Sequence, residues 1–296
     1  MTNVRFLLNP AAGRGAAVSR LARLRLLAEK AGAGMVVSRS AADLVEQARR
    51  AVADGVERLV AAGGDGTMHQ VAQGLAGSGC ALGVVPLGTG NDLAGTLGVP
   101  SDFDQAVGLA MTGEVRRIDL VRVGETVCVG YAGVGFDSEV ARFAGERVKR
   151  LRGPLVYVYA VLHTIVTFQP PLMRVVHDGG VFAGRAMFTV AANLPRFGGG
   201  MRIAPQAEID DGWLDLVIVA AVSRAVLLAL LPRVYSGGHV RHPAVTIVRT
   251  RRAEITIDRP MTMYGGGEPV RSLAAGEPCL VEIAPAALAV VAAPAR

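Results

Sequence analysis

Two glycine-rich turns constrain what this chain can fold into more than any other feature of it. The apolar run Leu59-Val60-Ala61-Ala62 ends in Gly63-Gly64-Asp65-Gly66-Thr67, and Val84-Val85-Pro86-Leu87 ends in Gly88-Thr89-Gly90-Asn91-Asp92. A buried strand that stops at glycines and passes into a helical pattern is a place to look for phosphate binding. Glycine lets the backbone approach an anion closely, and the N–H groups that open the helix point at it. Taken alone, either stretch is a strand-to-helix loop, because Asp-Gly marks turns in general. The pair lies one strand–helix–strand unit apart, each with its own Asp and Thr, and both turns open on the same edge of a parallel sheet.

The first part of the chain repeats that unit. Residues 4–8 read as a strand, 9–15 as a glycine-rich turn, and a helix rich in Leu, Ala and Arg follows to about Gly32. Strands at 35–37, 59–62 and 82–85 alternate with helices at 44–53 and 68–75. This alternation predicts a doubly wound, Rossmann-like parallel sheet over residues 1–122, with the turns after Leu8, Val37, Ala62 and Leu87 along the ligand-binding edge. From there to residue 283 short β-rich runs dominate, at 127–129, 174–176, 186–192, 214–220, 245–248 and 253–257. They predict an antiparallel, sandwich-like second domain. Helices are expected at 138–150 and 154–168, and a third at 226–235 is expected to break at Pro232. The apolar tail within 284–296 is expected to return onto the first domain.

Half of the 296 residues are apolar, yet charges interrupt every apolar run well before the ~20 residues of a membrane span. The first residues show no signal-peptide pattern, and Cys80, Cys128 and Cys279 are too few and scattered for a disulfide framework, which points to a reducing, cytoplasmic setting. Net charge is +6, and Lys30 and Lys149 are the only lysines. The densest basic run, 142–152, sets five cations against one anion. It suits either an anionic membrane surface, with a peripheral location, or a solvated helix face. No motif or interleaved aromatics accompany the charge, so nucleic acid is not expected as a partner. His163 reads as a packing residue in an apolar helix, and only His239 and His242 stand close enough to pair.

Gly-Gly-Asp-Gly-Thr at 63–67 followed by Pro-Leu-Gly-Thr-Gly-Asn-Asp at 86–92 resembles the diacylglycerol kinase catalytic-domain family, which includes bacterial lipid kinases and sphingosine kinases. The NAD kinases share the first motif but not the second in this form. Further on, Asn193-Leu194-Pro195-Arg196-Phe197-Gly198-Gly199-Gly200, Ala204-Pro205 and Asp211-Gly212-Trp213-Leu214-Asp215 are similar to family segments, as is Gly237-Gly238-His239 with His242-Pro243. The resemblance spans about residues 4–283. It implies an NAD-kinase-like first domain and a lipid kinase using ATP and Mg²⁺, acting on a lipid hydroxyl such as that of diacylglycerol. It leaves room for a homodimer. Carried over by position, it implies nucleotide contacts at Asn9, Ser38, Gly63, Gly64, Asp65, Gly66, Thr67, Met68, His69 and Thr89. Asp65 would serve the Mg–ATP side, and Asp92 and Asp119 would join a metal and water network. Read without the resemblance, Asp92 and Asp119 are capping residues. The segment 208–213 looks like the family's structural magnesium site, with a side-chain oxygen from Asp211 and backbone carbonyls of Glu208 and Trp213. An Asp-Gly turn is the plain alternative there.

One position departs from the pattern. The family carries Asp-Gly-Glu near its C-terminal end, where the carboxylates activate the acceptor hydroxyl; here the stretch is Gly266-Gly267-Glu268. A general base contributes ~10²–10⁴-fold, so three outcomes stay open. Glu268 acts alone, the acceptor is another, perhaps soluble, hydroxyl compound, or the chain is a weakened kinase that binds lipid or nucleotide without turnover. Restoring Asp at 266 is expected to raise activity on diacylglycerol provided the turn has room for it.

Overall fold

In the computed structural model, which describes residues 3–147 and 154–294, the alternating first part builds four parallel strands. The elements are β1 (Val4–Leu8), α1 (Leu21–Lys30), β2 (Gly34–Val37), α2 (Ala41–Ala53), β3 (Arg58–Gly63), α3 (Asp65–Leu75), β4 (Ala81–Pro86), α4 (Asp92–Thr96) and α5 (Phe103–Thr112). Strand order is β2-β1-β3-β4. Successive side chains of a strand point to opposite faces. Accordingly Leu7, Leu59, Ala61, Leu82 and Val84 pack with Leu44, Ala48, Met68 and Leu75 of α2 and α3. Phe6, Leu8, Val60, Ala62 and Val85 pack on the other face with Leu24, Phe103 and Val107 of α1 and α5. Both faces are covered, which is why these strands are apolar throughout. The register aligns the strand ends: Leu8 lies beside Val37 and Ala62, and Ala62 beside Val85. Whatever follows those residues must therefore sit on one edge.

The second part comprises β5 (Glu114–Val123), β6 (Thr126–Cys128), β7 (Tyr131–Gly135), α6 (Phe136–Arg147), α7 (Pro154–Thr167), β8 (Leu172–His177), β9 (Gly180–Ala192), β10 (Leu214–Ala220), α8 (Arg224–Ser236), β11 (Val245–Thr250), β12 (Arg252–Ile257), β13 (Met261–Gly265), β14 (Glu268–Leu273) and β15 (Cys279–Ala292). Its strands pair antiparallel with one another. Val175, Ala191, Leu216, Ile255, Met263 and Val281 form the layer between the strand faces. Alternate residues Val190, Ala192 and Val217 face outward and are covered by Phe136, Ala160 and Leu227 of the helices.

One feature departs from the sequence expectations. α8 runs unbroken through Pro232. A proline removes one helical hydrogen bond, and burial of Leu227 and Leu230 on the inner face holds the helix through it. The C-terminal tail is the second half of a strand: β15 pairs antiparallel with β5 for most of its length and parallel with β4 at Val290–Leu82. The three cysteines are buried and free, as small core residues. His163 stacks on Phe143 with ring centroids 3.9 Å apart. Of the basic run 142–152, residues 148–152 lie outside the described residues, and Arg142 pairs with Glu139 at 2.7 Å. No helix among the described residues is long and apolar enough to cross a membrane.

Asp119 on β5 has its hydrogen-bond partners outside the glycine turns. Its carboxylate accepts the Gly212 N–H at 2.6 Å and the Ala286 N–H at 2.6 Å. Ala286 has φ of 48° and sits where the β15–β5 register shifts. The carboxylate thus ties the kink of β15 to the 208–213 loop, a structural job that capping logic foresees better than a phosphate network does. Asp119→Ala leaves two N–H groups without their acceptor, at ~1–3 kcal/mol each. Urea unfolding should show a loss of about 2–6 kcal/mol, whereas Asp119→Asn, which keeps one acceptor oxygen, should lose less.

Candidate active site

The aligned strand ends bring the two glycine turns into backbone contact. A Cβ on Gly64 would stand 3.0 Å from the Gly88 Cα, and one on Gly88 only 2.6 Å from the Gly64 Cα. Neither position accepts a side chain without parting the loops. Leu87 N–H donates to the Gly63 carbonyl at 2.8 Å. Asn91, with φ of 53°, closes the second turn on itself: its Oδ1 accepts from Gly88 N–H and its Nδ2 donates to Gly88 O, both at 2.9 Å. Asn9, beyond β1, reaches across to donate to Thr67 Oγ1 at 2.8 Å. Ser38 is buried, its N–H on the Leu8 carbonyl. Asn9, Ser38, the 63–69 segment and Thr89 therefore share one edge, although Met68 and His69 point into the interior.

Asp65 is the first residue of α3, and its Oδ1 accepts the Leu93 N–H at 3.3 Å. Asp92 opens α4, and its two oxygens accept the N–H groups of Gly199 and Gly200 at 3.1 and 3.0 Å. The glycine triplet of the second domain is thus fastened to the first domain by one carboxylate. The space between the two acids is narrow: a Cβ on Gly90 would meet Asp65 Oδ2 at 2.8 Å and Asp92 Oδ2 at 3.3 Å. Burial, and then the neighbouring Asp92 charge, raise the Asp65 carboxyl above its ordinary value, against the pull of backbone N–H groups. No cation among the described residues pairs with either acid.

These residues fit a nucleotide polyphosphate with a divalent cation. The side-chain-free cradle admits phosphate to the backbone N–H groups at the start of α3, and two adjacent acids without a counter-charge suit a cation. No group of three or more His, Cys, Asp or Glu among the described residues could hold a metal ion. A cation here would complete its shell with phosphate oxygens and water, as Mg²⁺ does. The 208–213 loop fits less well. Asp211 Oδ1 already accepts the Trp213 N–H at 2.9 Å, and Oδ2 is paired with the Arg249 guanidinium. A guanidinium meets the charge that magnesium would neutralise, so no chemistry is derived through a metal at Glu208, Asp211 and Trp213.

Glu268 is exposed and lies opposite Gly265 in the β13–β14 hairpin, whose turn meets α3 at His69. Gly266 has φ of 60°, and a Cβ there would lie 2.5 Å from both Cγ and Nδ1 of His69. The imidazole of α3 fills the place where a side chain at 266 would go, so the room required for Asp is absent. His69 is 3% exposed, its Nδ1 has no partner, and burial lowers it to about 4.

Beyond the turn, a cavity of about 330 Å³ opens between β9, β10 and helices α6, α7 and α8. Its walls are apolar, with Phe188, Phe197, Leu227 and Tyr235 among them, and two polar groups reach it, Asp137 and His239. Asp137 Oδ1 is buried without a partner, and burial raises the carboxyl to about 6. Asp137 escaped the sequence reading because it looks like an ordinary acidic residue in a first helical turn. Only the closing of α6 over β9 makes it unusual.

Two measurements check this geometry. The folded pKa of His69 lies below the ordinary 6.5, so stability is full above pH 6.5 and falls as pH drops towards 4, by roughly 3 kcal/mol in all. His69→Gln should remove that slope from unfolding curves taken between those pH values. Gly266→Asp should lower stability by roughly 1–3 kcal/mol, the usual effect of overpacking, and give no gain in activity unless His69 is also made small.

The comparisons with known proteins bear on the family and the fold. Residues 3–123 match the family description "Diacylglycerol kinase catalytic domain", and residues 130–292 match "YegS C-terminal NAD kinase beta sandwich-like domain". The curated diacylglycerol kinase of Mycobacterium tuberculosis (strain H37Rv) is 32% identical, over 96% of this chain and 93% of that protein. That of Bacillus subtilis (strain 168) is 28% identical over 90% of each. Among solved structures, a diacylglycerol kinase from Bacillus anthracis superposes with a TM-score of 0.75 at 19% identity, covering 99% of this chain and 97% of that one. Yeast NADH kinase complexed with NADH does so with 0.53 at 12%, covering 98% and 83%. These two likenesses extend the agreement to the fold, a parallel first domain carrying an antiparallel sandwich-like second one. With both halves of the chain matched, this protein belongs to the diacylglycerol kinase family.

Proposed function

We propose that the chain transfers the γ-phosphoryl group of ATP to the hydroxyl of a lipid of the diacylglycerol type. Family membership supports a lipid kinase, and the observation that carries the acceptor class is the cavity of about 330 Å³. A pocket of this size with almost no polar lining buries hydrocarbon, whereas a site for a small polyol needs several hydrogen-bonding groups. Asp137 offers that pocket one acceptor for a hydroxyl at its end. The glycine cradle would hold the phosphates by backbone N–H groups, with Asn9, Ser38 and Thr89 along the same edge. Bound Mg²⁺ would supply the neutralisation of phosphate charge that this reaction demands. Asp65 and Asp92 are the residues that would hold it. Glu268 would take the proton from the acceptor hydroxyl as the oxygen's electron pair attacks phosphorus and the bond to the diphosphate breaks. The glycine at 266 favours a second reading, a lipid- or nucleotide-binding protein with little turnover.

Product analysis with labelled ATP separates the readings. Diacylglycerol, a sphingoid base and glycerol are offered in turn. Phosphorylation of a lipid and not of glycerol is the expected result, and a fully inert protein that still binds nucleotide would support the second reading. Asp65→Ala should abolish transfer in a folded protein. Glu268→Gln should lower kcat ~10²-fold or more with little change in ATP affinity. Leu162 is half exposed at the cavity lining, so Leu162→Glu should raise KM for long-chain diacylglycerol several-fold and leave KM for ATP unchanged.

A further inference from the structure

A second cleft, of about 1020 Å³, lies on the other side of the wall that closes the apolar cavity. The wall is made by the 201–205 segment and the turn after α8. Met201, Ile203, Val234 and His239 face the apolar side, and Arg202, Pro205, Gly237 and Val240 face the cleft. It is firmly built. Arg202 N–H donates to the Val234 carbonyl at 2.9 Å, and the buried His239 contacts the Ile203 carbonyl through Nε2 at 3.1 Å.

The charged lining of the cleft comprises Arg196, Arg202, Arg241 and Arg249 against Glu208 and Asp215. Four guanidiniums meet two carboxylates. Arg249 is engaged by Asp211 outside the cleft lining. Arg196, Arg202 and Arg241 have no carboxylate partner among the described residues, and Arg196 Nε is buried without any partner. Guanidinium forks in a walled cleft match the oxygens of a phosphate and give directed, charge-assisted hydrogen bonds.

We infer that this cleft binds a phosphomonoester group, carried either by a lipid or by a soluble molecule. The site stands apart from the transfer reaction, and its test does not depend on turnover. It also touches both parts of the proposed active site. Arg196 and Arg202 bracket the triplet whose Gly199 and Gly200 hold Asp92, and the wall of the cleft is the wall of the apolar cavity.

Trp213 is the single tryptophan, with Arg249 at 5.6 Å and Arg251 at 4.7 Å from its ring centroid. Its fluorescence therefore reports ligands drawn to Arg249. The full chain is titrated with glycerol 3-phosphate, with phosphatidylcholine vesicles containing phosphatidic acid, and with pure phosphatidylcholine vesicles. A saturable change with glycerol 3-phosphate assigns the group to soluble ligands. A change only with phosphatidic acid vesicles assigns it to a lipid headgroup. In either case Arg202→Glu with Arg241→Glu should weaken binding about tenfold or more. Both side chains are exposed, and Arg202→Gln with Arg241→Gln serves as a milder pair should the reversal disturb folding. Binding that ignores both pairs overturns the inference, as does an equal response to pure phosphatidylcholine. Displacement of the bound phosphomonoester by ATP would overturn it too, by making the cleft part of the nucleotide site.

Discussion

The joint that the rest of the molecule depends on is β15. This strand begins in the sandwich of the second domain, beside β12, and ends in the parallel sheet of the first, beside β4. Parallel strands need a crossover connection, and here everything between β4 and β15 forms that connection. Its course is held at the kink by the Asp119 carboxylate. With the two domains fastened in this way, the β13–β14 turn is pressed against α3, and a glycine of one domain meets an imidazole of the other.

That contact gives the candidate site its particular character. Elsewhere the cleft is lined by pieces that need each other. The two glycine turns exclude side chains from one another, and Asp92 spends its oxygens on the glycine triplet of the second domain. The acids next to the cradle stay without a cation among the described residues, and the apolar cavity is roofed by helices belonging to the second domain. Charge is therefore concentrated where phosphate and its counter-ion would sit, and removed where hydrocarbon would sit. Among the described residues Asp137 alone carries a buried carboxylate oxygen without a partner, and it faces this apolar region.

Interdomain packing also explains why an unusual residue at one position cannot be judged by itself. Gly266 reads in the sequence as a missing carboxylate. In space it is the floor beneath His69, and its positive φ and lack of room are two sides of the same tight turn. Asp119 makes the complementary point. An acid that the resemblance grouped with Asp92 makes a bracket between a loop and a kinked strand.

What the sequence determined by itself was the parallel half of the fold and the edge on which its two glycine turns meet. Both follow from local rules. Apolar runs such as 59–62 and 82–85 are long enough for strands buried on both faces, and the turns Gly63–Thr67 and Gly88–Asp92 have the residues that phosphate approach demands. That an antiparallel half follows the parallel one was also legible, from the shift to short β-rich runs. Tertiary structure decided the rest, because it turned on partners distant in the chain. The strands at 131–135, 261–265 and 268–273 carry glycines and prolines that weaken their local signal, and only pairing across the sandwich makes them strands. Pro232 stays helical because a core holds its helix. Asp137 and His69 become special through burial by other elements, and burial is a property of the fold that no local pattern of residues records.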